Sequence, residues 1–393
     1  MAIANYLLPL IPVGFFLLSG VVSFVAINVR QTYRPYLLPV FLLAAGLSFA
    51  TINYFQWPSG LNSLWGMALT VYVMHQTSIL CIEKYVLPSR RTDGAWDWLG
   101  AYKTWLNPRL LNTPLEAPGI RKATRPQGKA RFAMRCLIKL VLYWAVNEYV
   151  INRTIQRITA TDSLSIQHFS APVGESYFRR LLLPASSSSI PAITYQETIL
   201  HAVFAIHWIW GSYIGIDGAH AILSLLFVIV LRLDTPEEWP PLFGSPLEAY
   251  SIRRFWGRFW HRIAYRPHTS CGRWLSRNVL QLRPGSVGEK LFVAFAVFTF
   301  SGIAHSLVSW QRGDQCGRLT DIWFFYRNFA AGAVETVVMK LIRGSKTLDG
   351  LLRRSVVGKI LGYAWVFGFF FWSVPKWEFP KIYCLLQSYD SES

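Results

Sequence analysis

His305 lies near the middle of an apolar run, Leu291–Trp310, in the context Phe300-Ser301-Gly302-Ile303-Ala304-His305. No Asp or Glu falls within a helical turn of it. A neutral imidazole in a dry environment is a competent general base at neutral pH. Gly302 and Ala304 leave room for another helix or a substrate to approach closely. Position alone leaves that reading level with a packed histidine bonded to a backbone carbonyl.

Ionisable groups at membrane depth are costly, so each such residue in an apolar run is a candidate for function. The others are His75, Lys139, Glu148, Glu197, His201, His207, Asp217, His220, Arg327, Glu335 and Lys340. Several read as structural. Arg327 and Glu335 sit about two turns apart on one helical face, which suggests pairing with neighbouring helices. His75, beside Gln76 and Thr77, reads as a hydrogen-bonded core histidine. His201 and His207 fall on different faces, and no HxxxH, HxxHH or HExxH pattern occurs, so no metal site is expected.

A second cluster runs Trp239-Pro240-Pro241-Leu242-Phe243-Gly244-Ser245-Pro246, then Ser251-Ile252-Arg253-Arg254-Phe255-Trp256-Gly257-Arg258-Phe259-Trp260-His261-Arg262. The first part is stiffened by Pro and Gly, and the second has the pattern of an amphipathic helix. Arg254, Arg258 and Arg262, at i, i+4 and i+8, would form one basic stripe. Phe255, Trp256, Phe259 and Trp260 would form an aromatic flank suited to a membrane interface. An ordinary interfacial helix would look the same.

These residues need a scaffold, and composition points to one. Of 393 residues 52% are hydrophobic and only 15% charged, below the quarter usual in soluble domains. The charges crowd into a few loops, leaving runs of about 20 apolar residues, enough to cross a bilayer. Such runs are Leu7–Asn28, Tyr36–Phe55, Leu61–Ile82, Cys136–Ile151, Ile193–Ile216, Ala219–Leu231, Leu291–Trp310, Ile322–Ile342 and Val357–Val374, followed by a polar tail. The fold class expected is all-α: a polytopic transmembrane bundle of about eight or nine spans with re-entrant or interfacial helices, as a single integral domain over residues 1–393. Leu7–Asn28 has no basic residue before it, so it reads as a retained first span and not a cleaved signal. The net charge of +18 does not indicate nucleic acid, because the basic residues flank spans instead of forming one stripe.

Residues 84–131 hold ten Lys or Arg against three acidic residues, and residues 232–289 hold nine Arg. The positive-inside bias puts both loops, with Arg30 and Arg34, in the cytoplasm and the N-terminus outside or in the lumen. Three apolar segments then separate the two basic loops, where an even number is required. Either Ala219–Leu231 or Cys136–Ile151 should therefore be re-entrant or packed inside the bundle. The five cysteines show no CxxC pair and suggest neither a disulfide framework nor a zinc site.

The WPPLFG segment, the RFWGRFWH segment and the later SGxxH resemble the wax-synthase-like branch of the membrane-bound O-acyltransferases, over roughly residues 235–310. The resemblance implies that His305 is the catalytic base and that His261 carries a polar group toward the active-site tunnel, where the wider superfamily usually has Asn. It implies no bound cofactor. Acyl-CoA would be the cosubstrate, its phosphates meeting Arg254, Arg258, Arg262 or Arg266, and His261 or Trp260 would donate to the oxyanion. The partners would be acyl-CoA, a lipophilic alcohol and membrane lipid, and the location the endoplasmic reticulum membrane. The wording is closest to fungal members that acetylate terpenoid or meroterpenoid metabolites. Esterification of long-chain alcohols is the alternative within the family. A multi-span carrier would instead need paired charges on discontinuous helices, and a terpene cyclase an acid such as Glu148, Glu197 or Glu335.

Overall fold

Helix starts fall where the sequence supplies caps. Ser286, Ser355, Thr194 and Asp97 each accept a backbone N–H three residues on, opening the helices at Val287, Val356, Tyr195 and Trp98. The computed structural model describes residues 7–55, 59–88, 96–120, 127–159, 166–170, 177–181, 192–314, 316–317, 319–344 and 355–392. Among the described residues all regular structure is helical. The low-complexity run Ser186–Ser189 lies outside them.

In chain order the helices are α1 Leu10–Asn28, α2 Arg34–Ala50, α3 Ser59–Thr77, α4 Trp98–Trp105, α5 Lys129–Val146, α6 Arg153–Thr159 and α7 Tyr195–Leu225. There follow α8 Ile252–Arg254, α9 Tyr265–Asn278, α10 Val287–Gln311, α11 Thr320–Ile342, α12 Val356–Ser373 and α13 Pro375–Glu392. Six stretches are long and apolar enough to cross a membrane: Leu10–Asn28, Gln31–Ala50, Gly60–Ile82, Tyr195–Val230, Val287–Gln311 and Val356–Gln387. The chain is an all-α, polytopic integral membrane protein. Lipid explains why Leu17, Val21, Leu43 and Leu361 lie on the surface, since exposed apolar area on this scale is a liability in water.

The segment count changes at α7. Residues 193–231 form not two segments but one helix, Tyr195–Leu225, extended by a π turn at Leu226–Val230. Asp217 and Gly218 look like a break in sequence, yet Asp217 accepts from Lys139 Nζ and Tyr143 Oη of α5, each at 2.8 Å. Its charge is thus met inside the bundle, and one mid-helix glycine costs only about 1 kcal/mol. Of the segments between the two basic loops, only residues 195–230 are among the six stretches long and apolar enough to cross. The expected polar tail is also corrected. It is the helix α13, anchored by buried Trp377 and Phe379.

The chain forms two compact units, residues 1–118 with 262–329 and residues 119–261 with 330–393. In the first, α4 is a short helix of the first basic loop that tucks against α1 and α3. Trp105 Nε1 donates to Tyr72 Oη at 2.8 Å, and His75 Nε2 lies 2.9 Å from Thr104 O. His75 is thereby the bonded core histidine expected. In the second unit, α7 packs against α5, α12 and α13. Of the cysteines, Cys81, Cys136 and Cys271 are free thiols.

A single crossing by α7 predicts opposite sidedness at its two ends. An N-glycosylation acceptor inserted at residues 166–170 should shift the protein on a gel in microsomes, and one inserted at residues 233–236 should not. Equal modification at both places would mean that 195–230 crosses an even number of times.

Candidate active site

The segment from Trp239 to His261 has little regular structure, and it is held along α7 by aromatic contacts. Trp239 lies with its ring 5.1 Å from His220 and donates through Nε1 to Asp234 at 3.0 Å. Phe243 meets Tyr213 at 4.5 Å. Trp208 stacks on Trp260 at 5.3 Å and also touches Phe255, Trp256, Phe370 and Trp377. Three levels of one long helix thus grip the two halves of the cluster.

Two close backbone approaches fix its shape. Gly244 N–H donates to Phe259 O at 2.8 Å, and a Cβ on Gly244 would stand 1.9 Å from Arg258 O. Only glycine permits that approach. Gly362 of α12 plays the same part, its Cβ position lying 2.2 Å from Tyr250 O. The helix start is capped twice. Ser251 accepts from Arg254 N–H, and the Glu335 carboxylate of α11 accepts from Ile252 N–H at 2.6 Å and Arg253 N–H at 3.0 Å. A carboxylate against free N–H groups at a helix start is favourable in charge and in hydrogen bonding. Trp365 Nε1 donates to the same carboxylate at 2.7 Å, so the neighbour-helix pairing expected for Glu335 is present.

The arginine stripe is not formed as expected. Only Ile252–Arg254 is α-helical; Phe255–Phe259 is a π turn, and the chain turns extended at Trp260. A π turn carries more than four residues, so i and i+4 no longer align, and Arg262 lies beyond the helix altogether. Arg254 ion-pairs with Glu248 and stacks over Tyr250 at 4.3 Å. Arg258 is the open one, 64% exposed with Glu248 3.9 Å away. Arg262 donates to Pro118 O and lies over Tyr265 at 4.4 Å. The aromatic flank also turns inward. Phe255, Phe259 and Trp260 are buried, packing on Trp208 and Phe243 instead of facing an interface. His261 is half-buried, its ring 5.6 Å from Phe243 and 5.7 Å from Trp260.

His305 belongs to the first unit and His261 to the second. On α10 Gly302 is buried, with Ile322 Cα of α11 3.0 Å from where its Cβ would be, so the close helix approach expected there is present. One turn on, the half-buried His305 ring lies 5.0 Å from Phe325. Among the described residues no group of three His, Cys, Asp or Glu is placed to hold a metal ion. Sequence reasoning missed Trp208, Gly244 and Gly362 as supports. For Gly244 the signal was present in WPPLFG, where a glycine after bulky residues marks a tight approach.

Residues 239–327 match the membrane bound O-acyl transferase family. The match spans the WPPLFG segment, the FWGRFWH segment and the SGIAH of α10, the three pieces that carry the resemblance in sequence. Among curated proteins the chain is similar to the acetyltransferase atnC of Arthrinium sp, 27% identical over 287 residues, 72% of this chain and 62% of that one. It is 34% identical to the acetyltransferase TRI7 of Fusarium sporotrichioides over 178 residues, 44% of this chain and 40% of the relative. It is 31% identical to the acetyltransferase aurG of Calcarisporium arbuscula over 209 residues, 51% and 47% of the two chains. The chain thus spans from 40% to 62% of the length of these relatives. No solved structure matches it.

The supports make a testable claim. Gly244→Ala should force Arg258 and Phe259 away and destabilise the fold by at least about 1–3 kcal/mol, seen as a lower melting temperature in detergent. Glu335→Gln should cost about 1–3 kcal/mol through the two N–H groups it leaves poorly paired. Unchanged melting in both variants would show that the segment does not depend on these contacts.

Proposed function

We propose that the chain is an acyl-CoA-dependent O-acyltransferase that acetylates a hydroxyl of a lipophilic, terpenoid-type secondary metabolite in a fungal endoplasmic reticulum membrane. The observation that carries this is the family match across residues 239–327, together with relatives named acetyltransferases. In this reading acetyl-CoA is a substrate arriving from the cytoplasm, where both basic loops lie, and the acceptor arrives through lipid.

The reaction asks for few protein groups, because the alcohol is itself the nucleophile. His305 takes the hydroxyl proton as the oxygen attacks the thioester carbonyl. A C–O bond forms, the carbonyl electrons move onto oxygen, and a hydrogen-bond donor stabilises that oxyanion. Collapse breaks the C–S bond, and the proton held by His305 passes to the leaving thiolate, giving ester and free coenzyme A. Arg258, open to solvent, is the stripe residue placed to meet an anionic cosubstrate, whereas Arg254 is engaged by Glu248.

The test is incubation of membranes with labelled acetyl-CoA or palmitoyl-CoA and pools of terpenoid or fatty alcohols. Labelled acetyl ester from the terpenoid pool is the expected result; wax ester from palmitoyl-CoA would move the chain to the long-chain branch, and no ester from either would end the proposal. His305→Ala should insert normally and lose about 10²- to 10⁴-fold in turnover, the range of general base catalysis. Near-wild-type turnover by that variant would remove His305 from the role.

Arg254 and Arg258 should also behave differently. Arg258→Gln is expected to raise the acetyl-CoA KM about tenfold or more, as for a lost charge-assisted bond. Arg254→Gln should lower the melting temperature and leave KM near wild type. The reverse pattern in steady-state kinetics would put Arg254, not Arg258, at the cosubstrate.

A further inference from the structure

Lys129 lies at the end of the first basic loop and Arg232 opens the second, far apart in sequence. The second unit brings them together. Lys139 Nζ meets Asp217 at 2.8 Å, and one turn back along α5 Cys136 Sγ lies 3.6 Å from Ser224 Oγ. Phe132 and Val228 continue that antiparallel register in one buried cluster. It carries the start of α5 to the end of the π turn that closes α7. Beyond the cluster a cleft of about 390 Å³ opens between the two helix ends, lined by Lys129, Ala130, Ala133, Ile229 and Arg232. That is the size of a small-ligand site.

The cleft holds two cations and no acid. Among the described residues neither Lys129 nor Arg232 pairs with a carboxylate. The acidic residues that follow Arg232 are engaged elsewhere. Asp234 accepts from Trp239 Nε1 at 3.0 Å, Glu237 from Gln127 N–H at 2.9 Å and Glu238 from Thr235 N–H at 2.8 Å. Gly128 gives α5 no side-chain cap, so the N–H groups of its first turn add to the positive potential. Arg232 holds φ 57°, just past a helix end, where glycine is the usual residue. A long cationic side chain is kept there at a backbone cost that glycine would avoid. The floor, by contrast, is apolar. Ala130, Ala133 and Ile229 offer nothing to a hydrated inorganic anion. Met134, Val230 and Leu233, neighbours of the lining residues in sequence, expose apolar surface as lipid-facing residues do. Val230 also ends a stretch long enough to cross the membrane, which puts the cleft at headgroup depth.

We propose that Lys129 and Arg232 seat the phosphate of an anionic phospholipid, whose glycerol and first acyl carbons lie over Ala130, Ala133 and Ile229. Arginine and lysine supply charge-assisted donors to the phosphate, and the small alanines leave room for what is attached to it. The seat does not rest on the acyl-transfer reading. A free phosphate would offer the same charge without a chain, and the experiment separates the two sources.

The full-length protein, purified in uncharged micelles, is titrated with fluorescent phosphatidylglycerol. Wild type should bind it saturably, and unlabelled phosphatidylglycerol should displace it where inorganic phosphate and phosphatidylcholine do not. Arg232→Gly removes the cation and suits the left-handed backbone. It should therefore melt no lower than wild type in the same micelles, yet bind the lipid about tenfold more weakly. Lys129→Gln should weaken binding about fivefold. Ala130→Phe, which fills the cleft and alters no charge, should weaken it as well. Arg131→Gln removes the same charge from α5 outside the cleft and should leave binding near wild type. An equal loss in Arg131→Gln and Arg232→Gly would mean diffuse surface charge and overturns the proposal. So does wild-type binding by Arg232→Gly, and so does full displacement by inorganic phosphate, which would mark a site for a free anion.

Discussion

An irregular chain segment inside a membrane protein must find partners for its backbone without a helix or sheet to supply them, and residues 239–261 are such a segment. An unpaired N–H or C=O in a dry interior costs several kcal/mol, so the segment is possible only where other elements bring acceptors and donors to it. Glu335 does this for Ile252 and Arg253, Phe259 O for Gly244, and Ser251 for Arg254. The aromatic rings of α7 then pack against Phe243, Phe255 and Trp260 of what the hydrogen bonds have shaped. Substituting Trp208 would remove contacts to five rings at once, which is why the site depends on a helix that contributes no obvious chemistry.

That dependence explains which ionisable residues turned out to be structural. Intramembrane charge is expensive enough to suggest function wherever it occurs, yet most of it here is already neutralised. Asp217 is held by Lys139 and Tyr143, Glu197 by Arg180, and Glu335 by backbone N–H groups and Trp365. His75 and His201 bond to the Thr104 and Phe371 carbonyl oxygens. Each ties two elements together where apolar packing alone would leave register undefined. Depth in the membrane is therefore a weak guide to catalysis in this chain; His305 lies in a stretch matched to an acyltransferase family, one turn from a glycine that brings α11 close.

The spans were legible because a bilayer writes its thickness directly into apolar run length; α1, α2, α3, α10 and α12 all fall within a few residues of the expected limits. Errors arose where a local signal competed with a distant partner. Asp217-Gly218 reads as a break until Lys139 and Tyr143, more than seventy residues away, are placed against it. The Arg254–Arg258–Arg262 stripe presumes 3.6 residues per turn, and the π turn at Phe255–Phe259 departs from that period because Gly244 and Trp208 pull the segment inward. The C-terminal segment looks polar by composition, but two aromatic residues, Trp377 and Phe379, are enough to anchor it as a helix. Side-chain types predicted the elements; pairings distant in sequence decided how they join.

Acyl transfer from a thioester to an alcohol needs one base, one donor and a place where water does not compete with the alcohol. The last requirement is the demanding one, because water is at high concentration and its attack would simply hydrolyse the donor. A soluble enzyme meets it with a closing lid. In a bundle whose surface faces lipid, exclusion of water is a property of the solvent the protein sits in. The acceptor, dissolved in that same lipid, can arrive without crossing an aqueous phase. Under the activity proposed above, only the anionic end of the cosubstrate would have to meet water. The residues that perform chemistry can then be few. Within its own unit, α7, α11 and α12 hold the aromatic, hydrogen-bonded segment in one shape.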